Sequence, residues 1–143
     1  MCDIRVASRQ ASFGETFLNV GLIPGDGSAF SLPRAVGMGK ACELIFAGDT
    51  IDADTALSIG LVNCVADHDK FLEKAGEIAK KIASKPPQAL RMTKKLIRTA
   101  QHDTLPNTMQ LAAACQSLCH YTEDHMEALT AMFEKRKPQF RGK

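Results

Sequence analysis

The sequence predicts an α/β fold in which short strands come first and a mainly helical region follows, so that the 143 residues read as α+β. Two observations predict this order. Brief alternating apolar runs occur before residue 20 and again at 61–65, and such runs are typical of half-buried strands. After residue 67, apolar residues recur at helical spacing almost to the C-terminus. We therefore divide the chain into a region 1–66 and a helical region 67–143.

The first region is predicted element by element. In order, the pattern predicts strands at 4–7 and 11–17, a loop rich in glycine and proline at 19–27, helices at 27–36, 40–46 and 53–59, and a strand at 61–65. Asp26 precedes the first helix and can cap its N-terminus, because a carboxylate accepts a backbone N–H. Gly48 provides the stop of the second helix. Asp52 or Asp54 opens the third helix.

The second region is predicted as four helices. Their spans are 69–84, 88–100, 107–120, and 123 to Pro138. The prolines at 86 and 87 separate the first pair, and the turn 103–106 separates the second. Two or three short strands cannot form a stable sheet alone. We therefore expect partner strands from a segment that these residues do not supply, and the abrupt start on a strand favours a missing preceding piece.

Composition excludes several classes of protein. Apolar residues make up 45% of the chain and charged residues 24%, with a net charge of +2, which is ordinary for a folded domain and too weak to indicate nucleic-acid binding. No apolar run reaches the ~20 residues of a membrane-spanning helix. Five cysteines without paired spacings indicate neither a disulfide framework nor a zinc site. Four of them, at 42, 64, 115 and 119, are expected to be buried thiols in a reducing compartment, the cytoplasm.

Five segments resemble, in order and with matching spacing, the motifs of the enoyl-CoA hydratase/isomerase (crotonase) superfamily. They are residues 2–8 (CDIRVAS), 13–27 (FG…VGLIPGDG), 32–37 (LPRAVG), 41–62 with its G-L-V ending, and 122–138 (TED…FEKRKP). The resemblance implies a ββα spiral, here only its C-terminal half, followed by a helical trimerisation region. It also implies homotrimers or hexamers, or pairing with a separate N-terminal half. It implies acyl-CoA as substrate and no cofactor beyond the coenzyme A of that thioester.

The resemblance also implies how the chemistry is shared among residues. In the family, two backbone N–H groups stabilise the oxyanion of the thioester, and both lie in motifs upstream of Met1. One catalytic glutamate also lies upstream, and the position of the second is Phe17. Asp26 and Glu15 are the remaining carboxylates near the loop and are the candidate catalytic residues. Each has a structural alternative: Asp26 as a helix cap, Glu15 as an exposed strand charge.

Four further residues are candidates for contact with the acyl-CoA, by the same resemblance. Gly21 and Gly27 would let the loop pass close to a pantetheine arm. Phe17 would line an acyl pocket together with Phe30, with packing in the core as the alternative for both. Lys135 would reach a phosphate of coenzyme A, beside Met132 at a position usually taken by phenylalanine. No metal site is expected.

Two functions follow from these patterns. The first is enoyl-CoA hydration or isomerisation through a stabilised enolate, with the isolated chain expected to be inactive. The alternative is a non-catalytic oligomerisation module, or the product of a degraded reading frame.

Overall fold

The computed structural model describes residues 2–143 and contains short strands, one 3₁₀ helix and seven α-helices. The strands are β1 (Val6–Ser8), β2 (Ser12–Gly14), β3 (Thr50–Asp52) and β4 (Cys64–Ala66), and the 3₁₀ helix spans Phe17–Val20. The helices are α1 (Ser28–Val36), α2 (Met38–Ala47), α3 (Ala53–Ser58), α4 (Phe71–Ala83), α5 (Pro87–Ala100), α6 (Leu105–His120) and α7 (Glu123–Phe133). No helix in residues 2–143 is long and apolar enough to cross a membrane.

The chain divides into two compact units, with the boundary inside α4. The first unit ends at Glu77 and contains all the described strands, and the second runs Ile78–Lys143 and is helical. The division into a core region 1–66 and a helical oligomerisation region 67–143 stays a prediction.

The strands of the first unit form two separate two-stranded sheets. β1 pairs in parallel with β4, with Ala7 opposite Val65, and β2 pairs antiparallel with β3, with Phe13 opposite Ile51. Pairing within the chain thus gives sheets of only two strands, and the expectation of further partner strands from another segment stays a prediction. β3 was not predicted, because its three residues Thr50–Asp52 are too short to show a period of two. Each sheet still has only two strands, and such a sheet depends on packing against other elements.

Small residues dominate the core of the first unit. One buried cluster joins β1 to α3 through Ala7, Ala53 and Ala56, with Val62 completing it. A second joins α1 to α2 through Leu32, Ala41 and Leu44. Alanines at these contacts let the backbones approach closely, and larger side chains such as Phe13, Ile51 and Leu61 pack around them.

The second unit has few fully buried residues, and two of its helices have side-chain caps. The fully buried residues among the described part of this unit are Asp124 and Ala131. Thr104 caps α6 and Thr122 caps α7, each accepting a hydrogen bond from the backbone N–H three residues on. α5 and α6 pack together, with Met92 Sδ 3.7 Å from Cys119 Sγ.

Several boundaries differ from the predictions for physical reasons. β2 ends at Gly14, and residues 17–20 turn into the 3₁₀ helix instead of extending the strand. α7 ends at Phe133 and not at Pro138, because Lys135 adopts a left-handed backbone (φ +55°) that stops the helix. The four cysteines expected to be buried are half-buried, and all five are free thiols.

Candidate functional site

Both candidate carboxylates of the glycine-rich loop are held by one residue, Ser28. Its hydroxyl donates to Glu15 Oε2 at 2.9 Å, and its backbone N–H donates to Asp26 Oδ1 at 2.9 Å. Ser28 is the first residue of α1 and is only 6% exposed, so a well-packed group holds both acids. The two acids are thus brought to the N-terminus of α1, where the helix dipole favours negative charge.

The hydrogen bond from the Ser28 backbone lowers the pKa of Asp26, and the Ser28 side chain adds to the effect. Asp26 itself is exposed. The hydrogen bonds alone account for its lowered pKa, without a neighbouring positive charge. The residue that N-caps α1 is Gly27, and Asp26 precedes it. Asp26 therefore satisfies one free N–H of α1 while its carboxylate stays at the surface, and its catalytic role stays a prediction.

The two glycines predicted to shape the loop have left-handed backbones. Gly21 has φ +72° and Gly27 has φ +88°, and both are exposed. A Cβ at either would meet no atom within 4 Å. Backbone conformation, and not lack of space, is therefore what requires glycine here.

The aromatic residues predicted to line an acyl pocket have different environments. Phe17 begins the 3₁₀ helix and is half-buried. Phe30 is 57% exposed, and the Arg34 guanidinium lies 3.6 Å above its ring centroid. Core packing, one of the two interpretations of Phe30, is therefore wrong. Neighbouring Leu22 and Ile23 are also exposed, which makes the outer face of this loop apolar.

Asn19 connects the loop to α2 and was missed in the sequence. Its side-chain N–H donates to the Gly48 carbonyl at 3.0 Å. Gly48 ends α2 in the left-handed conformation (φ +64°), and a Cβ there would lie 2.3 Å from Asn19 Oδ1. The sequence shows only an asparagine within a predicted loop, and its partner Gly48 lies 29 residues further along the chain. Asn19 thus attaches the start of the loop to the end of α2, and Ser28 holds both acids at the start of α1.

The predicted contact residues for coenzyme A lie at the end of α7, in the second unit. Met132 is 63% exposed, and Lys135 follows the helix with its positive φ. Two hydrogen bonds close the helix around it: from Lys135 N–H to Met132 O at 3.3 Å and from Arg136 N–H to Ala131 O at 3.0 Å. Among residues 2–143, no acidic group pairs with the Lys135 ammonium, so it remains available to an anion.

Arg136, next to Lys135, is in contrast fully engaged. It makes a bidentate pair with Glu127, at 2.5 and 2.8 Å, and contacts Glu134 at 2.5 Å. The Arg136 hydrogen bonds, helped by the Gln139 backbone N–H, lower the pKa of Glu127 to about 2. A polar cavity of about 430 Å³ lies beside this network, lined by Glu123, Asp124, Glu127, Arg136, Gln139 and Arg141. Lys135 does not line it, so this cavity is not the predicted coenzyme A contact.

The structure brings Glu15, Asp26, Gly27 and the loop together in the first unit, and Met132 with Lys135 in the second. Ser28 was missed because a serine after a glycine gave no chemical signal without its two partners. Within residues 2–143, no group of three potential metal ligands occurs.

Solved structures define the class of fold. The enoyl-CoA hydratase of Bacillus anthracis superposes with a TM-score of 0.95 at 39% identity, over 99% of this chain and 55% of that one. The enoyl-CoA hydratase of Polaromonas sp. JS666 superposes with a TM-score of 0.91 at 32% identity, over 98% and 55%. The fold is thus the α/β crotonase fold, with the helical C-terminal part predicted from the sequence.

Sequence comparison gives the family. A family model described as enoyl-CoA hydratase/isomerase matches residues 1–143, and the chain belongs to that family. It is 41% identical over 136 residues to the short-chain-enoyl-CoA hydratase of Clostridium acetobutylicum, covering 95% of this chain and 52% of the relative. It is 38% identical over 130 residues to the protein of the same name from Clostridioides difficile, covering 91% and 84%. The chain spans about half the length of most of the curated relatives it matches.

Proposed function

We propose that this chain serves a reaction on acyl-CoA thioesters in which an enolate forms and a carboxylate exchanges a proton with it. The observation that carries the proposal is the pair of acids on Ser28, Glu15 and Asp26, at the edge of an exposed apolar loop. The hydratase names of the relatives support the substrate class.

The chemistry of the loop favours proton abstraction over hydration through two glutamates. Hydrogen bonding from Ser28 lowers the pKa of Asp26, so at neutral pH the group is a carboxylate with no proton to give. The same hydrogen bonds weaken it as a base, so its use as a proton acceptor rests on its position in the loop. Phe17 is apolar where the family resemblance implies the second glutamate, so a water-steering acid is lacking there. We therefore propose isomerisation of an enoyl-CoA, with Asp26 as the base and Glu15 holding Ser28 in place.

Binding to coenzyme A is proposed for Lys135, as a flexible point charge for a phosphate, with Met132 beside it. Titration calorimetry of the chain with crotonyl-CoA tests both roles. Lys135→Ala should weaken binding, and Asp26→Asn should leave it intact, because the base acts after binding. If neither crotonyl-CoA nor another acyl-CoA binds, the proposal is wrong for this chain.

Turnover is tested with two substrates in parallel, a 2-enoyl-CoA for hydration and a 3-enoyl-CoA for isomerisation. We expect no hydration of crotonyl-CoA by the chain alone, because the oxyanion motifs implied by the family resemblance do not occur in these 143 residues. Hydration at a rate normal for an enzyme would contradict this.

A second function, as an oligomerisation module, is supported by the exposed apolar residues of α6 and α7. They are Leu105, Met109, Leu118, Met126, Met132 and Phe133. Exposed apolar side chains in such number favour burial against another chain. Homotrimers, hexamers or pairing with a separate N-terminal half remain the candidate assemblies, and sedimentation equilibrium distinguishes them from a monomer.

The five free thiols support a reducing compartment, and we propose the cytoplasm as the location. Fatty-acid metabolism is the setting that fits an acyl-CoA substrate.

A further inference from the structure

The turn between α6 and α7 holds two histidine side chains against each other. His120 Nδ1 lies 3.1 Å from His125 Nε2, and the two rings are nearly perpendicular (83°) with centroids 4.8 Å apart. One nitrogen carries the proton that the two share, and the other accepts it. The family resemblance and the proposed chemistry assign neither ring a role.

The backbone fixes the positions from which both rings project. Thr122, between them, donates its hydroxyl to the Cys119 carbonyl at 2.7 Å and accepts the His125 N–H at 3.2 Å. The Tyr121 N–H bonds to the Leu118 carbonyl at 3.2 Å and closes the last turn of α6. The rings are therefore placed close together before any ligand arrives, and a preorganised pair loses little entropy on binding.

The separation of the two nitrogens fits a shared metal ion. Two imidazole nitrogens that each bind a cation at about 2.0–2.1 Å, with an angle near 90–109°, lie roughly 2.9–3.4 Å apart. The observed 3.1 Å falls within this range. We propose that His120 and His125 form an open, two-coordinate site for a divalent d-block cation such as Ni²⁺, Zn²⁺ or Cu²⁺.

No basic residue of the two helices opposes a cation. Residues 105–134 contain no lysine or arginine. The nearby acids Glu127 and Asp124 are already engaged, by Arg136 and by the backbone N–H groups of the tail, so the two rings themselves must supply the binding. The cation replaces the proton between the rings, water completes its coordination, and α6 becomes linked to α7. Imidazole binds a metal only in its neutral form, so acid competes with the metal for the rings.

Tyr121 makes the site directly measurable. It is the single tyrosine of a chain without tryptophan, is 92% exposed, and follows His120 in the chain. A paramagnetic ion held by the two rings quenches its fluorescence. Ni²⁺ is the probe of choice because, unlike Cu²⁺, it does not oxidise the free thiols.

The experiment titrates the full chain with Ni²⁺ at pH 8 and at pH 5, following tyrosine emission. We expect saturable quenching at pH 8 and little at pH 5. His120→Gln and His125→Gln should each weaken binding by roughly 100-fold, since either change removes the chelate. His68→Gln, His102→Gln and Cys119→Ser are matched controls that should bind like the wild type, and far-UV circular dichroism checks that each variant is folded.

Three results would overturn the proposal. The first is absence of saturable quenching of the wild type at pH 8. The second is wild-type affinity in both folded His120 and His125 variants. The third is loss of binding in Cys119→Ser as large as in the histidine variants, which would place the metal on the thiol.

Discussion

Replacement of Gly48 by alanine tests the contact that fixes the glycine-rich loop to the body of the first unit. Gly48 has φ +64°, and an added Cβ would lie 2.3 Å from Asn19 Oδ1 and 2.9 Å from its Cγ. Two costs follow: the left-handed conformation of a residue with a Cβ, about 1–2 kcal/mol, and loss of the Asn19 hydrogen bond, about 0.5–1.5 kcal/mol. We therefore expect Gly48→Ala to lower the free energy of unfolding by about 2–3 kcal/mol.

The same helix offers a matched control. Gly39 lies inside α2 and a Cβ there meets nothing within 4 Å, so Gly39→Ala should stabilise the helix by about 0.5–1 kcal/mol. A double-mutant cycle separates the two costs, because Asn19→Ala removes both the clash and the hydrogen bond. In the Asn19→Ala background, Gly48→Ala should cost only the backbone term.

The assay is urea unfolding followed by circular dichroism, with acyl-CoA binding measured in parallel. Equal midpoints for Gly48→Ala and Gly39→Ala would refute the steric reasoning. A full-sized Gly48→Ala effect in the Asn19→Ala background would show that Asn19 plays no part.

Three more predictions concern the C-terminal segment. Asp124→Ala should lower the free energy of unfolding by about 3 kcal/mol or more, because the buried carboxylate accepts two backbone N–H groups of the tail at 2.6 and 2.8 Å. The freed tail should then be cleaved by trypsin at Arg141, and unchanged cleavage would contradict this. The pKa of Glu127 is lowered to about 2, so its pairing with Arg136 stabilises the fold above about pH 4.5, and this stabilisation is lost as the pH falls toward 2. Glu127→Gln should therefore make the melting temperature fall less steeply between pH 4.5 and 2. A fall as steep as in the wild type would refute this. Lys135→Gly should raise the free energy of unfolding by about 0.5–1 kcal/mol, because glycine adopts a positive φ without strain. The same variant should weaken acyl-CoA binding. A change in stability with unchanged binding would show that Lys135 does not contact the ligand.

The helices could be predicted because their signals are local. α4 and α5 carry apolar residues at 3.6-residue spacing and end at prolines or polar turns, so their spans differ from prediction by only one or two residues. Thr104 and Thr122 were not predicted as caps, although each accepts the expected N–H bond. β3 could not be predicted, since three residues show no period and its pairing partner is far away in the chain.

The candidate site was predicted in part. Asp26 was selected from the sequence because an acid before a helix can accept its free N–H groups, and its catalytic role stays a prediction. The bond from Ser28 to Glu15 spans 13 residues, and the contact between Asn19 and Gly48 spans 29, so neither leaves a pattern in the sequence. The His120–His125 pair likewise depends on a capped turn that sets the direction of each ring.

The sequence by itself determined the family, the order of strands and helices, and the positions of Asp26 and Lys135, because motif spacing and periodicity are properties of neighbouring residues. Only the tertiary structure decided that the buried residue Ser28 holds both loop acids through its hydroxyl and its N–H. Only the tertiary structure decided, too, that no acid within residues 2–143 pairs with Lys135 while Arg136 is engaged. Such partnerships join residues distant in the chain, and their geometry is fixed only when the elements pack.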